Sequence, residues 1–327
     1  MDDYMARPSF SYILLTYNQQ DTVQAAVESA LKQTGVVLEI VISDDHSTDE
    51  TFGVIQKAVA GYDGAHRIIL NRNPHNLGLA GNIDKAHQLS SGDVLIAAAG
   101  DDRSYANRSA RIAAAFACGG PLLVCSYADV IGPDDLPVKG NFRKALFYND
   151  WNRARAARSK SLYIGATGAW HRDLYDRFGP LRPGTYEDLV LGFRAALENR
   201  IEVIEEALVQ YRLGTGITSS DGYYSDAAKF RARRAKGFLA QQAIMQQRIA
   251  DAIVFGLSED DEVFQILRKE QAKADLGVSY YESTWFAFSR AALRNPLLAL
   301  YIVWSERMKL RKAMRGMNVP VAAGQDD

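Results

Sequence analysis

The stretch Val94-Leu95-Ile96-Ala97-Ala98-Ala99-Gly100-Asp101-Asp102 runs six small or apolar residues into a glycine and two adjacent carboxylates. A short continuous apolar run bounded by a turn residue reads as a buried strand. Gly100 marks a close backbone approach, and Asp101 and Asp102 lie at the strand's C-terminal end. Open α/β sheets bind ligands outside the carboxyl ends of their strands. Two carboxylates there repel each other and any anionic ligand. A divalent cation removes that conflict, because hard oxygen donors suit Mg2+ or Mn2+. The competing explanation is ordinary turn chemistry, in which Asp is common. The rest of the chain decides between them.

Upstream, residues 10–16 read as a strand and 21–33 as a helix with Val23, Ala26, Val27, Ala30 and Leu31 on one face. A second strand at 36–42 precedes the polar run Ser43-Asp44-Asp45-His46-Ser47-Thr48-Asp49 and a helix from about 50 to 59. A third strand at 67–70 is followed by a loop from 71 to 81 and a short helix over 82–89. Downstream, a helix over 105–116, a strand at 121–127, a helix at 173–178, a loop at 183–188 capping a helix at 189–197, and a strand at 201–211 complete the pattern. Strands separated by helices imply a mostly parallel sheet flanked by helices, an α/β fold. Beyond about residue 220 the composition turns helical, with long stretches at 227–256 and 259–293 that Gly277 interrupts. Asn295-Pro296 reads as an N-cap and first helical residue, and the tail from Val319 as disordered. The expected organisation is residues 1–220 as the binding and catalytic domain and 221–327 as a helical appendage.

Composition removes several classes. Hydrophobic residues make up 47% and charged residues 24% of the 327, as in a soluble globular protein. A formal charge of −1 excludes a globally basic nucleic-acid binder. Cys118 and Cys125 form no metal-like spacing and read as buried thiols in a reducing compartment. The acidic N-terminus lacks the features of a signal peptide, and no apolar run approaches the roughly 20 residues that span a bilayer. The expected location is the cytoplasm.

Four polar clusters follow four strands: Thr16/Tyr17/Asn18, Ser43/Asp44/Asp45, Asn73 to Asn82, and Asp101/Asp102. Parallel strands bring these ends to one cleft, where Asx and hydroxyl side chains can hydrogen-bond a base and ribose and the acidic pair can hold a metal on a diphosphate. The same residues, with Asn76-Leu-Gly78-Leu-Ala-Gly81-Asn82 and Tyr186-Glu187-Asp188, resemble the motifs of family 2 glycosyltransferases, in order and rough spacing, over about residues 9–215. The resemblance implies the Rossmann-like GT-A fold. It also implies a nucleoside-diphosphate sugar donor, UDP-linked, bound by Thr16, Tyr17, Asn18, Asp44, Asp45, Gly78, Asn82 and Asp101. Asp102, with Asp101, would take Mn2+ or Mg2+. The family often carries a further acid where this chain has Ala99. Asp188, with Glu187 second, would be the general base of an inverting transfer to a saccharide or polyprenyl-linked acceptor, in surface polysaccharide or glycoconjugate assembly.

One base suffices for such a transfer, whereas a retaining glycosidase needs two carboxylates flanking the sugar. Acidic residues at a helix N-terminus are also stabilising without catalysis. Arg212 falls where these enzymes carry an Arg suited to a diphosphate, Gly165-Ala-Thr-Gly168 resembles their small-residue segment at the sugar and acceptor site, and His171 is a further candidate for the acceptor site or metal shell. The rivals are a sugar nucleotidyltransferase, whose Gly-rich Arg-containing loop after the first strand is missing here, a retaining transferase, and a silent nucleotide-sugar-binding subunit. In the appendage, Leu297-Leu-Ala-Leu-Tyr-Ile-Val-Trp304 precedes Arg307, Lys309, Arg311, Lys312 and Arg315, with Trp285, Phe286 and Phe288 upstream. That pattern suits an anionic membrane surface at the inner face of the membrane, or packing on the catalytic domain or a second subunit of a homodimer.

Overall fold

The computed structural model describes residues 8–117, 119–138, 145–214, 226–282 and 285–317. Cys118 and the tail from Val319 lie outside the described residues, as do the side chains of Trp285, Phe286 and Arg315. In chain order the first half runs β1 (Phe10–Thr16), α1 (Val23–Leu31), β2 (Glu39–Asp44), α2 (Thr51–Val59), β3 (Arg67–Arg72), α3 (Gly78–Leu89), β4 (Val94–Ala99), β5 (Arg103–Ser104) and α4 (Arg108–Ala117). Then follow β6 (Leu123–Ile131), α5 (Arg153–Arg158), β7 (Ala169–His171), α6 (Asp173–Asp176), α7 (Glu187–Glu198) and β8 (Ile201–Arg212). Four helices close the chain: α8 (Ala227–Phe255), α9 (Glu262–Glu282), α10 (Trp285–Arg294) and α11 (Pro296–Met317).

The strands form one sheet of order β3-β2-β1-β4-β7-β6-β8-β5. β3, β2, β1 and β4 are mutually parallel, as helical crossovers require. β7 is antiparallel to both β4 and β6, so the sheet changes direction in the middle. β7 and β5 are too short to leave a periodicity in the sequence. Pairing of Arg103 with Gln210 and of Ser104 with Val209 also delays α4, expected from 105, to Arg108. β2 starts at Glu39 instead of 36, with Val37 exposed after Gly35 in the left-handed region.

Both faces of the sheet are covered. One carries α1, α2 and α4 through Val27, Ile55 and Ile112; the other carries α3 and α7 through Ile83 and Phe193. The second core continues without a break into α8 and α9, through Ile244, Ile249, Phe264 and Leu267. At this junction Arg194 of α7 and Asp251 of α8 are fully buried, paired at 2.9 and 3.2 Å, and Gln247 donates to the same carboxylate at 2.9 Å. Gly277, expected as a break, lies inside α9, where the Phe238 ring occupies the space a Cβ would need. The C-terminal helices α10 and α11 form a separate small core around Phe288, Ala299 and Ile302. Glu306 anchors α11 there, accepting from Arg234 at 2.6 and 2.8 Å, Tyr281 at 2.8 Å and Lys309 at 2.7 Å. Burial raises its carboxyl pKa, but these donors win and draw it down to about 2. No helix among the described residues is long and apolar enough to cross a membrane.

Removing one partner of a buried ion pair leaves an uncompensated charge and costs about 3–5 kcal/mol. Asp251→Ala should therefore lower unfolding stability by that order in urea titrations. A loss below about 1 kcal/mol, the range of an exposed pair, would show that the α7–α8 junction is not held this way.

Candidate active site

The ends of the parallel strands coincide. Thr16 pairs with Asp44 and Asp44 with Arg72, while Leu15 pairs with Ala99. Gly100 N–H then bonds Leu15 O at 3.0 Å, and a Cβ on Gly100 would meet the Gln19 side chain and sit 2.9 Å from Thr16 Cγ2. This is the close approach expected of Gly100. It turns Asp101 and Asp102 over the edge of the sheet, each 5% exposed. Burial, then the neighbouring charge of Asp101, pushes the Asp102 carboxyl well above the ordinary range. The opposing donor is the backbone N–H of Arg212, 2.8 Å from Asp102 Oδ1.

Arg212 itself is buried and engaged. Its Nε donates to Asp101 O at 3.0 Å, its Nη1 to Gly132 O at 3.0 Å and Pro133 O at 3.3 Å, and its Nη2 pairs with Asp135. Arg212 thus clamps the acidic turn onto β8 and the 132–135 loop, with all three nitrogens of its guanidinium in use.

The polar residues after β1, β2 and β3 brace each other. Asp44 accepts from Ser47 N–H at 3.0 Å, Ser47 Oγ at 2.5 Å and Thr16 Oγ1 at 3.3 Å. Asp45 Oδ1 accepts from Asn73 Nδ2 at 2.9 Å and Leu77 N–H at 2.8 Å. Asn82 accepts from Ser43 Oγ at 2.6 Å and donates to Ser43 O at 3.1 Å. Asn18, with φ of 50°, accepts from Thr48 N–H at 2.8 Å. The expected donor-binding residues are thus together at one rim, and most of their side chains hold the loops. Tyr17, 45% exposed, is open to a ligand, and so is the space around Gly78, whose φ of 72° starts α3.

Glu187 and Asp188 are the first two residues of α7, which starts two residues earlier than the helix expected from Leu189, and both are half-buried. Burial raises both carboxyls, and the charge of Glu187 raises Asp188 well further. Arg248 of α8 opposes this from behind. Fully buried, it donates to Leu189 O at 3.0 and 2.8 Å and to the carbonyls of Ala156, Ala157 and Ser159 at 3.0–3.2 Å. Burial brings its own pKa down to about 10.

The turn Gly165–Thr167 lies between Glu187 and β4. A Cβ on Gly165 would collide with Glu187 Oε1, and Gly168 O accepts from Ala97 N–H of β4 at 3.0 Å. Arg108, also fully buried, pins the same junction through Ala97 O at 2.7 Å and Ser104 Oγ at 2.9 Å. His171 pairs with Val94, the far end of β4, about 16 Å of strand away from Ala99, which removes it from the acidic turn. Arg108, Arg248 and the buried Tyr163, whose hydroxyl has no partner among the described residues, were not singled out in the sequence. Arg and Tyr within amphipathic segments carry no positional signature, and long-range packing alone identifies them.

Two carboxylates fit a hard divalent cation. Mg2+-type sites commonly use one or two protein carboxylates and complete the shell with substrate phosphates and water. No group of three or more His, Cys, Asp or Glu converges to hold a metal among the described residues, so a cation here would need such outside ligands.

A curled mixed sheet with polar strand ends beside one buried and one half-buried acidic pair has the GT-A architecture. Residues 11–178, just over half of the sequence, match the model described as Glycosyl transferase family 2, and the chain belongs to that family. A relative from Escherichia coli, UDP-Glc:alpha-D-GlcNAc-diphosphoundecaprenol beta-1,3-glucosyltransferase WfaP, is 39% identical over 92 residues, 28% of this chain and 35% of that protein. The putative glycosyltransferase EpsE of Bacillus subtilis is 33% identical over 101 residues, 31% and 36% of the two chains. The chain thus spans about a third of the length of the curated relatives it matches. Among solved structures, S. aureus TarS 1-349 in complex with UDP-GlcNAc superposes with a TM-score of 0.59 at 17% identity, covering 95% of this chain and 93% of that one. The mannosyltransferase PcManGT from Pyrobaculum calidifontis, in complex with GDP-Man and Mn2+, gives 0.56 at 17%, covering 98% and 89%. At these identities the likeness establishes the fold.

A carboxyl whose folded pKa is raised above its unfolded value favours folding only while protonated. That contribution is lost as pH rises from the ordinary carboxylate range through the raised value. At pH 7, above the ordinary carboxylate range, that contribution is diminished, whereas an amide carries no such dependence, so Asp188→Asn should raise the thermal midpoint by a few °C, in the order seen for about 1 kcal/mol. A lower midpoint by calorimetry would contradict the raised carboxyl.

Proposed function

We propose that this chain is an inverting glycosyltransferase that moves a sugar from a UDP-linked donor to a hydroxyl of a saccharide or lipid-linked acceptor. The observation that carries the proposal is the presence of two acidic pairs, buried Asp101/Asp102 after β4 and half-buried Glu187/Asp188 opening α7, each with a carboxyl raised by desolvation. The activity by which the E. coli relative is named, on a diphosphoundecaprenol-linked sugar, and the UDP-GlcNAc bound by TarS support the donor and acceptor classes.

In this reading Tyr17, Asn18 and the Gly78 corner receive the nucleoside, with Thr16, Asp44, Asp45 and Asn82 holding their loops in place. Asp102, assisted by Asp101, holds the divalent cation, Mn2+ or Mg2+. When bound, that cation supplies charge neutralisation for the departing diphosphate. Arg212 keeps the acidic turn in register. Asp188 accepts the acceptor's hydroxyl proton as its oxygen attacks the anomeric carbon. The bond from that carbon to the diphosphate oxygen breaks with inversion, and UDP leaves with the electron pair. A base raised above the ordinary carboxylate range is a stronger proton acceptor than an exposed Asp. Glu187 raises it, and Arg248 limits the rise. Residues 1–220 carry these groups, except for the contribution of Arg248 from the helical region.

Asp188→Asn should retain UDP affinity and lose transfer by about 10²–10⁴-fold, the usual worth of a positioned base. Near-normal release of nucleoside diphosphate would place the base elsewhere. Calorimetric titration of UDP should show binding that depends on Mn2+ and is lost in Asp102→Ala. Equal affinity without metal would remove the metal role while leaving the base untouched.

A further inference from the structure

We propose that α11 is a docking face for an anionic lipid surface, on grounds that use no part of the transfer mechanism. At 100° per residue, Leu297, Leu300, Tyr301, Trp304 and Met308 fall within an arc of about 100° on this helix. They are 82%, 69%, 49%, 63% and 45% exposed. The opposite side, with Ala299, Ile302 and Glu306, is buried at 2–4% exposure and fastened to α8 and α9. The helix thus has its inward face fully used and presents a second, exposed apolar face outward, with the Lys273 ammonium 6.0 Å from the Tyr301 ring at its edge. Leu293 of α10, 82% exposed, extends that patch past the corner at Asn295.

Charge chooses the occupant. Residues 285–317 hold seven Lys or Arg and one carboxylate, Glu306, in a chain of formal charge −1. That carboxylate is buried and already paired. Arg307 and Lys312 are exposed and flank the apolar arc on its two sides, and the exposed Arg311 lies within it near the C-terminal end of the helix. A second copy of this chain docked on the same face would bring two such cationic margins together. A surface of anionic headgroups over acyl chains complements both the stripe and its margins. Trp304 and Tyr301 are side chains that favour the boundary between headgroup and acyl regions.

The test is co-sedimentation of the full chain with vesicles of phosphatidylglycerol and phosphatidylcholine, against phosphatidylcholine alone. Binding should be at least tenfold stronger to the anionic vesicles and should weaken as salt is raised. The Leu300→Glu/Trp304→Glu variant should bind at least tenfold less, with an unchanged thermal midpoint, since neither side chain packs in the core. Wild-type protein that stays in the supernatant with anionic vesicles would overturn the proposal, as would undiminished binding by the variant. So would a wild-type dimer in sedimentation velocity that the same variant converts to monomer, because a second copy would then cover the stripe.

Discussion

Burying two like charges side by side is the constraint around which this molecule is arranged. Asp101 and Asp102 sit at the end of a strand with 5% of their surface exposed, and Glu187 and Asp188 open a helix whose other residues are almost all buried. Neither pair is comfortable, since burial raises three of these four carboxyls. Each is countered by an arginine that satisfies backbone carbonyls around it: Arg212 at the first pair, Arg248 at the second. An arginine used this way brings charge and fixes the path of the chain through the same fork of donors. The strain is held by the surrounding packing, the usual condition for a site in which charge or a proton will later be accepted.

The polar rim obeys a second constraint. Loops that carry Asp, Asn and Ser near a ligand must satisfy those groups before the ligand arrives. Here they do so against one another, Ser43 with Asn82, Asp45 with Asn73, Asp44 with Ser47 and Thr16. A rim built this way is preorganised, and little conformational freedom is left to lose on binding.

Much of this was legible in residue order. The parallel half of the sheet follows from apolar runs spaced by helical periodicity, and the strand-end clusters follow from those runs. Gly100 reads as a close approach, and it is one, to Thr16 and Gln19; Gly165, in the segment read as small residues at the sugar and acceptor site, closely approaches Glu187. What residue order did not carry was long-range. β7 and β5 are defined by partners rather than by their own pattern. The start of α7 at Glu187 depends on a Tyr186 carbonyl that accepts from Leu189 and Val190. Arg212 reads equally as a ligand for phosphate and as a clamp until its acceptors are known. Arg248 lies in a helix of Ala, Gln and Arg with nothing to set it apart, and becomes distinct only because α8 lies against α7.

That junction also bears on the order in which the chain is made. Arg194 meets its carboxylate 57 residues later, and Arg248 reaches back to Leu189 across 59. A growing chain that has completed β8 has a sheet, an acidic pair at 187–188 and a buried-type arginine with no counter-ion. The apolar face of α7 stays uncovered until α8 has emerged. During synthesis, at some 5–20 residues per second, this interval lasts several seconds. The site therefore acquires its electrostatic balance last, from a helix outside the sheet, and a ribosome paused there would hold out an incomplete surface to whatever binds exposed apolar faces.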